Sequence, residues 1–402
     1  FVTFRSAFIL FIGLALALLL VEIGFAEVAQ PSAIKGVRDF VEYWGASRLL
    51  LPGGNPYSPA QLLATQQAVG WSSAEPLIMW NPPWTLSFIL PFGLLNFTSG
   101  QFVWLLLQVG CVLISAQALW RLYGIGGVNG ISGQGAVGAW VPWLLGLTFV
   151  STGFVLILGQ ITPLILLGLT ALLYFERKEN WFAFGATLAI LSIKPHLIYL
   201  FWIVLVLWIW QRQQWRVALG AAAAGSCAAV IPLLFDPHIY AEYFALHRLQ
   251  GITKPFDWPA PTLGDAVKIF FEVDSPALQL LPALVGVIWM LYYWQRHKQL
   301  WRWSERLPLI ILVSLTTNFF VWTYDQVIFL PALIQGGSWL VRQRLPWYRS
   351  GAAWLYIVIN LAHAILRTFL AEELWYFWLA PALLIAYLVY HWEAEGTRAT
   401  AG

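Results

Sequence analysis

Apolar segments that are long enough to cross or nearly cross a bilayer follow one another along almost the whole chain. They lie approximately at residues 6–29, 77–95, 101–120, 138–157, 160–175, 181–193, 196–210, 217–235, 277–294, 307–323, 326–341, 351–369 and 374–391. Charged residues make up 10% of the 402 residues, against about 25% in soluble globular proteins. We therefore expect an all-α, polytopic transmembrane helix bundle of about 12–13 hydrophobic segments, with residues 1–402 forming a single integral membrane domain.

Charge and cysteine usage exclude several other classes of protein. The formal net charge is +3 and no long basic run is present, so nucleic acid is not an expected partner. The two cysteines, Cys111 and Cys227, both lie in apolar runs, which argues against a disulfide framework. No cluster of acids and histidines has the spacing of a metal site, so we expect neither a metal nor a cofactor.

The distribution of basic residues predicts which loops share a side of the membrane. Basic residues concentrate at 176–178, 212–216, 296–306 and 342–349, and such loops are typically cytoplasmic. The first long loop, 30–76, and the second, 236–276, are then extracytoplasmic, and both are expected to carry interfacial helices. The first apolar run, 8–28, is expected to be a retained membrane helix.

The count of crossings requires that one run between residues 77 and 175 does not fully cross. Two candidates remain open: the run 77–95, which is interrupted by prolines, and one of the short runs on either side of Gly159.

Four polar side chains are expected at helix ends on the extracytoplasmic side: Asp39, Gln160, Lys194 and Asp325. Charged groups at such positions are costly, which makes each a candidate functional residue. Two structural alternatives stay open at this point. Asp39 could cap or solvate an interfacial helix, and Lys194 could form an ion pair with Asp325 or with Asp39 that fixes helix register.

A series of short motifs gives the chain a resemblance to a known family. In order, they are Asp39-Phe40 with Tyr43, the stretch GGNPYSP at 53–59, Pro82-Pro83, Gly159-Gln160-Ile161 and Lys194-Pro195. Together they resemble glycosyltransferase family 87 of the GT-C superfamily over roughly residues 6–335. One segment departs from the resemblance: 323–326 reads TYDQ, where family members commonly carry Trp and His.

The resemblance implies a membrane enzyme that uses a lipid-linked sugar, often polyprenyl-phosphate-mannose, and an acid in the first extracytoplasmic loop, a role that falls on Asp39. Transfer from such a donor needs a base for the acceptor hydroxyl and a cation for the departing phosphate. Lys194 is the best-placed cation. Further candidates for binding the donor phosphate or sugar are Gln160, Tyr43, His247, Arg248, Lys254 and Asp325. A single carboxylate with no nucleophile partner favours direct displacement with inversion.

The expected partners are therefore the polyprenyl-phosphate sugar, a lipid or glycan acceptor and membrane lipids, and the expected location is the bacterial plasma membrane. Two alternatives are a catalytically silent scaffold subunit of a membrane assembly and a lipid or solute transporter. The transporter predicts an internal repeat and charges in mid-helix, whereas the charges of this chain fall at the ends of apolar runs.

Overall fold

The computed structural model describes residues 37–124, 140–250, 259–273, 275–343, 351–370 and 372–399. Within these ranges the regular structure is entirely helical and no β-strand occurs. The expected first membrane helix at 8–28 and the candidate residue Lys254 lie outside the described residues.

The α-helices are short in the first loop and longer in the bundle. They are α1 (Phe40–Leu50), α2 (Pro59–Gln67), α3 (Leu86–Ile89), α4 (Phe97–Tyr123), α5 (Val141–Thr148), α6 (Val150–Leu158), α7 (Thr162–Arg177), α8 (Trp181–Ala186), α9 (Leu188–Leu191), α10 (Tyr199–Arg212), α11 (Trp215–Leu233), α12 (Ile239–Gln250), α13 (Leu263–Phe270), α14 (Pro276–His297), α15 (Trp303–Thr316), α16 (Leu330–Gln343), α17 (Gly351–Arg367) and α18 (Leu379–Ala399). Turns of 3₁₀-helix at Pro83–Thr85, Leu90–Leu94, Pro195–Ile198, Lys298–Leu300, Thr323–Phe329 and Glu373–Tyr376 extend or connect them.

Several helices are long and apolar enough to cross a membrane, which confirms the expected polytopic helical bundle. In the described part of the chain there are five, at Phe97–Tyr123, Pro195–Arg212, Trp215–Leu233, Pro276–Leu300 and Glu373–His391, or six if α5 and α6 form one span. The remaining apolar runs give shorter helices, such as Trp181–Leu191 and Gly351–Arg367. A full crossing takes about 20 residues at about 1.5 Å per residue, so these pieces cross only in part or at breaks.

Both candidates for the incomplete crossing are broken in the structure. The run 77–95 folds into α3 flanked by two 3₁₀ turns, Pro83–Thr85 and Leu90–Leu94, because its prolines remove backbone donors and clash with the preceding turn. Helices α5 and α6 are bent by 63° at Phe149. Either interruption can therefore account for the incomplete crossing.

Helices α8 and α11 cross at two glycines that allow their backbones to touch. A Cβ on Gly185 would lie 2.0 Å from the carbonyl oxygen of Val217, and one on Gly220 would lie 2.0 Å from the carbonyl oxygen of Phe182. No side chain fits at such distances, so this crossing depends on glycine, as close helix contacts in membranes commonly do.

Three of the four basic loops, 176–178, 212–216 and 296–306, meet at one end of the bundle, whereas most of the fourth, 342–349, lies outside the described residues. Near the C-terminal end of α7, Arg177 donates to the carbonyl of Arg121, and the carboxylate of Glu176 accepts from the backbone amides of Trp303 and Ser304. Arg212 donates to the carbonyl of Gln299 at 2.6 Å. The opposite end of α7, at Thr162, is about 24 Å away along 16 helical residues. These three basic loops and the N-terminal end of α7 therefore lie at opposite ends of the bundle.

Candidate functional site

Five of the residues expected from the sequence meet near the N-terminal end of α7, around the side chain of Gln160. Its Nε2 donates to Oδ2 of Asp39 at 2.8 Å. Its Oε1 accepts from the hydroxyl of Tyr43 at 2.9 Å and from Nζ of Lys194 at 3.4 Å. Nζ of Lys194 also lies 2.8 Å from Oδ1 of Asp325. One amide group therefore connects the candidate base with the candidate cation.

Helix α1 presents Asp39 and its neighbours to this cluster. Asp39 is the residue that precedes the helix, and Glu42 and Tyr43 follow it at three and four residues, a spacing that places all three on one helix face. The Asp39 side chain makes no capping hydrogen bond to the first turn. The Asp39 side chain therefore does not cap helix α1.

A tight contact with the end of α6 fixes the start of α1. The backbone amide of Asp39 donates to the carbonyl of Leu158 at 2.7 Å. The next residue, Gly159, has φ +80°, and a Cβ there would lie 2.4 Å from Cγ1 of Val37. Both the left-handed backbone and the close approach require glycine, which gives a physical reason for the Gly-Gln pair of the sequence motif.

Two buried side chains of α4 hold the backbone of the Gly159-Gln160 turn. The indole of Trp104 donates to the carbonyl of Gly159 at 2.8 Å, and Nε2 of Gln108 donates to the carbonyl of Gln160 at 2.6 Å. These bonds satisfy carbonyl groups that a broken helix leaves without partners. The turn between α6 and α7 is therefore a rigid support for the Gln160 side chain.

Lys194 and Asp325 come from two further helix breaks. Lys194 lies between α9 and the 3₁₀ turn that begins at Pro195, and Asp325 lies inside the 3₁₀ turn Thr323–Phe329. Oδ1 of Asp325 also accepts from the hydroxyl of Thr162 at 2.7 Å, and its Oδ2 accepts from the amide of Trp322 at 3.2 Å. Of the two partners left open by the sequence, Asp325 is therefore the one that forms an ion pair with Lys194.

The side chains of this cluster differ in how much they are exposed. About a tenth of the Asp39 and Lys194 side chains is accessible, at 11% and 10%, against 1% for Asp325. Burial raises the pKa of Asp39 above its usual value, while Arg38, the Gln160 hydrogen bond and Lys194 oppose that rise. Asp39 and Lys194 are therefore more accessible than Asp325. We call this set the Gln160 cluster: Asp39, Glu42, Tyr43, Gln160, Thr162, Lys194 and Asp325.

A family model described as glycosyltransferase family 87 matches residues 80–314, more than half of the chain. The chain belongs to glycosyltransferase family 87. No curated protein and no solved structure gives a significant match to it. The family 87 match contains Gln160 and Lys194, whereas Asp39 and Asp325 lie outside the matched range. The membership and the apolar helices make this an integral membrane glycosyltransferase, and the roles of Asp39 and Asp325 depend on the geometry given above.

Two further candidates of this family 87 protein, His247 and Arg248, lie on α12. His247 is on α12, where its Nδ1 lies 3.0 Å from the carbonyl oxygen of Tyr243 and its ring contacts that of Trp80. Arg248 is exposed and donates to the carbonyl of Phe244. Among the described side chains, no hydrogen bond or ion pair joins either residue to the Gln160 cluster, and their proposed role in binding the donor stays a prediction.

The C-terminal part of the family 87 protein, which the family model does not cover, supports the turn that carries Asp325. The carboxylate of Glu373 accepts from the hydroxyl of Thr323 and from Nη2 of Arg367, each at 2.5 Å. The Arg367 guanidinium also lies 4.3 Å from the centre of the Phe154 ring on α6. This buried contact ties α17 and α6 to the 323–329 turn.

Sequence reasoning missed two residues of the Gln160 cluster: Thr162, whose hydroxyl donates to Oδ1 of Asp325, and Glu42. Its Oε1 lies 3.5 Å from Nε2 of Gln160, and the residue is 7% exposed. Burial, and then the negative charge of Asp39, raise the pKa of Glu42 to about 8. The sequence feature that could have identified Glu42 is its spacing of three residues from Asp39, which places both on one helix face. Within the described residues, no group of three His, Cys, Asp or Glu is arranged to hold a metal ion.

Proposed function

We propose that this protein is a GT-C-type glycosyltransferase that moves a mannose-like sugar from a polyprenyl-phosphate donor to a hydroxyl of a lipid or glycan acceptor. The observation that supports this most directly is the Gln160 side chain, which bonds Asp39 through its nitrogen and Lys194 through its oxygen. A base and a cation joined in this way, each with a tenth of its side chain accessible, match what transfer from a lipid phosphate requires.

In the proposed reaction, the acceptor oxygen attacks the anomeric carbon and the bond from that carbon to the phosphate oxygen breaks. Asp39 takes the proton of the acceptor hydroxyl, and the polyprenyl phosphate leaves with the bonding electrons. Lys194 stabilises the negative charge that develops on the phosphate. Its Nζ has three donors and one short contact, to Asp325 at 2.8 Å, while those to Gln160 and Thr162 are 3.4 and 3.5 Å long. A single displacement of this kind inverts the anomeric centre.

The proposed reaction takes place on the extracytoplasmic face of the plasma membrane of a bacterium. The support for this side is the gathering of the basic loops around Arg177, Arg212 and Gln299 at the far end of α7, since basic loops are typically cytoplasmic. The Gln160 cluster lies at the N-terminal end of the same helix.

The short ion pair between Lys194 and Asp325 favours a second candidate function. A catalytically silent scaffold subunit could use this pair only to fix the packing of its broken helices. The two candidates differ in what they require of Asp39, because a scaffold needs no base.

The test is the substitution Asp39→Asn in protein reconstituted into lipid nanodiscs. Radiolabelled polyprenyl-phosphate-mannose serves as donor, and a lipid extract of bacterial membranes supplies acceptors. We expect transfer to fall by about 10²–10⁴-fold, the usual contribution of a general base, with the melting temperature kept. The control is Glu75→Gln, an exposed carboxylate in the same loop, which should leave transfer unchanged. Full transfer by the Asp39 variant would exclude this residue as the base.

A further inference from the structure

Glu42 is a second carboxyl group in the Gln160 cluster, and the reaction described above does not use it. The amide nitrogen of Gln160 that donates to Asp39 at 2.8 Å also faces Oε1 of Glu42 at 3.5 Å. A primary amide has two N–H groups, so one side chain can hold both carboxyls at once. Asp39 and Glu42 lie on the same face of α1, and the exposed fraction of the whole residue is 8% for Asp39 and 7% for Glu42.

The cations around this pair are placed unequally. Arg38 lies 4.0 Å from Oδ1 of Asp39, while Lys194 forms its ion pair with Asp325. Among the described residues, no ion pair reaches Glu42. The other titratable groups facing Glu42 are the ammonium of Lys194, whose charge lowers the pKa of Glu42 by less than burial and Asp39 raise it, and the hydroxyls of Tyr43 on its own helix and of Tyr324 from the 323–329 turn.

Two buried carboxyls with support for one negative charge will share one proton. Arg38 and the shorter hydrogen bond from Gln160 stabilise the ionised form of Asp39, and the charge of Asp39 in turn favours the protonated form of Glu42. The pKa values agree with this assignment, because burial and the negative charge of Asp39 raise the pKa of Glu42 to about 8.

We propose that Glu42 is a positioning residue for Asp39: it carries the proton of the carboxyl pair, so that Asp39 remains the ionised member and is held by Gln160 in a fixed orientation. This inference rests on the proposed function, in which Asp39 is the base. Glutamine has the shape and the hydrogen-bonding groups of a protonated glutamate, so Glu42→Gln should preserve the arrangement. Alanine removes the group and frees the Gln160 amide to turn.

The proposal predicts a change in the pH profile that a merely structural role would not give. Glu42 loses its proton as pH rises through about 8, which places a second negative charge beside Asp39 and should lower kcat. In Glu42→Gln we expect kcat at neutral pH to stay within about threefold of wild type, and the fall in kcat at alkaline pH to disappear. Glu42→Ala should lose kcat at every pH with little change in KM. Glu75→Gln should keep the wild-type profile.

Two kinetic results would overturn the proposal. If Glu42→Gln is as inactive as Glu42→Ala, while both fold, then Glu42 is needed in its ionised form. If Glu42→Gln keeps the alkaline fall, then another group causes it.

An infrared pH titration of the protein in nanodiscs tests the shared proton without any substrate. The carboxyl C=O absorbance that is lost as pH rises through about 8 should be smaller in Glu42→Gln by the share of one carboxyl. Glu176 and Glu242, whose pKa values are raised to about 7, contribute equally to both spectra. A loss of equal size in Glu42→Gln contradicts the proposal. The proposed function can fail separately: wild-type protein that shows the larger loss but transfers no mannose would exclude the named donor, and an active Asp39→Asn would exclude the base.

Discussion

Removing one partner of the Lys194–Asp325 ion pair should destabilise the protein far more than removing both. In Lys194→Met, the Asp325 carboxylate, 1% exposed, keeps only the Thr162 hydroxyl and the Trp322 amide as donors. An uncompensated charge in such a site costs about 3–5 kcal/mol, which lowers the ratio of folded to unfolded protein by roughly a hundredfold to a few thousandfold. Asp325→Asn should cost somewhat less, because a tenth of the Lys194 side chain is accessible and can remain hydrated.

The double variant K194M/D325N separates the structural role of the pair from its chemical role. Asparagine keeps an acceptor oxygen for Thr162, so the free energy of unfolding should return to within about 1 kcal/mol of wild type. Transfer should stay about 10²-fold or more below that of wild type, because the ammonium that stabilises the leaving phosphate is missing. Unfolding can be followed by the fluorescence of the 25 tryptophans, and transfer by the radiolabelled donor.

Two outcomes of this cycle would refute the reasoning behind it. If Lys194→Met is as stable as wild type, leaving the Asp325 carboxylate without its cation does not have the free-energy cost given above. If the double variant recovers transfer together with stability, Lys194 only fixes helix register, and the scaffold alternative or another cation must replace it in the mechanism.

Three further predictions concern other parts of the site. Gly159→Ala should reduce both stability and transfer, because φ +80° and a 2.4 Å approach of the new Cβ leave no room for it; an unchanged melting temperature would contradict this. The free energy of unfolding should fall as pH rises from about 4.5 to about 8, and Glu42 should contribute on the order of a few kcal/mol to this fall, since its folded-state pKa is raised. Glu42→Gln should make the slope smaller, and the part that remains belongs to other carboxyls with a raised pKa, such as Glu176. Arg367→Met should cost about 3 kcal/mol because it leaves the carboxylate of Glu373, whose side chain is 17% exposed, without its cation, whereas Arg302→Met, in an exposed pair, should cost less than about 1 kcal/mol.

The membrane bundle and the main polar residues could be predicted because both follow from the free-energy cost of placing polar groups in lipid. That cost does not depend on how the helices pack against one another. A run of apolar residues forms a helix in lipid wherever it occurs. A charged residue between two such runs lies at a helix end, and the basic loops assign the ends to sides. Gln160, Lys194 and Asp325 were found in this way, and the structure joins all three.

The sequence could not predict how the breaks fold or which face of α1 turns inward. Helices α5 and α6 are bent by 63° at Phe149, and no proline at that position marks the bend in the sequence. The three-residue spacing of Glu42 from Asp39 indicates that the two share a helix face. It does not indicate that this face is buried, so the sequence does not single out Glu42. The prediction for His247 and Arg248 rests on the aromatic and basic composition of the second loop, and composition does not determine where α12 packs.

The hydrogen bonds of Gln160 bear on how substrate would enter. Its oxygen accepts from Tyr43 and Lys194, and its nitrogen donates to Asp39 and faces Glu42, so both halves of the amide are occupied within the protein. Direct binding of sugar hydroxyls by Gln160 or Tyr43 therefore stays a prediction, and it would require these bonds to break first. About a tenth of the Asp39 and Lys194 side chains is already accessible, so contact with these two groups requires no such rearrangement. Substrate that approaches those two groups would leave the Gln160 amide free to keep base and cation at a fixed separation, which is the preorganisation that displacement of a phosphate favours.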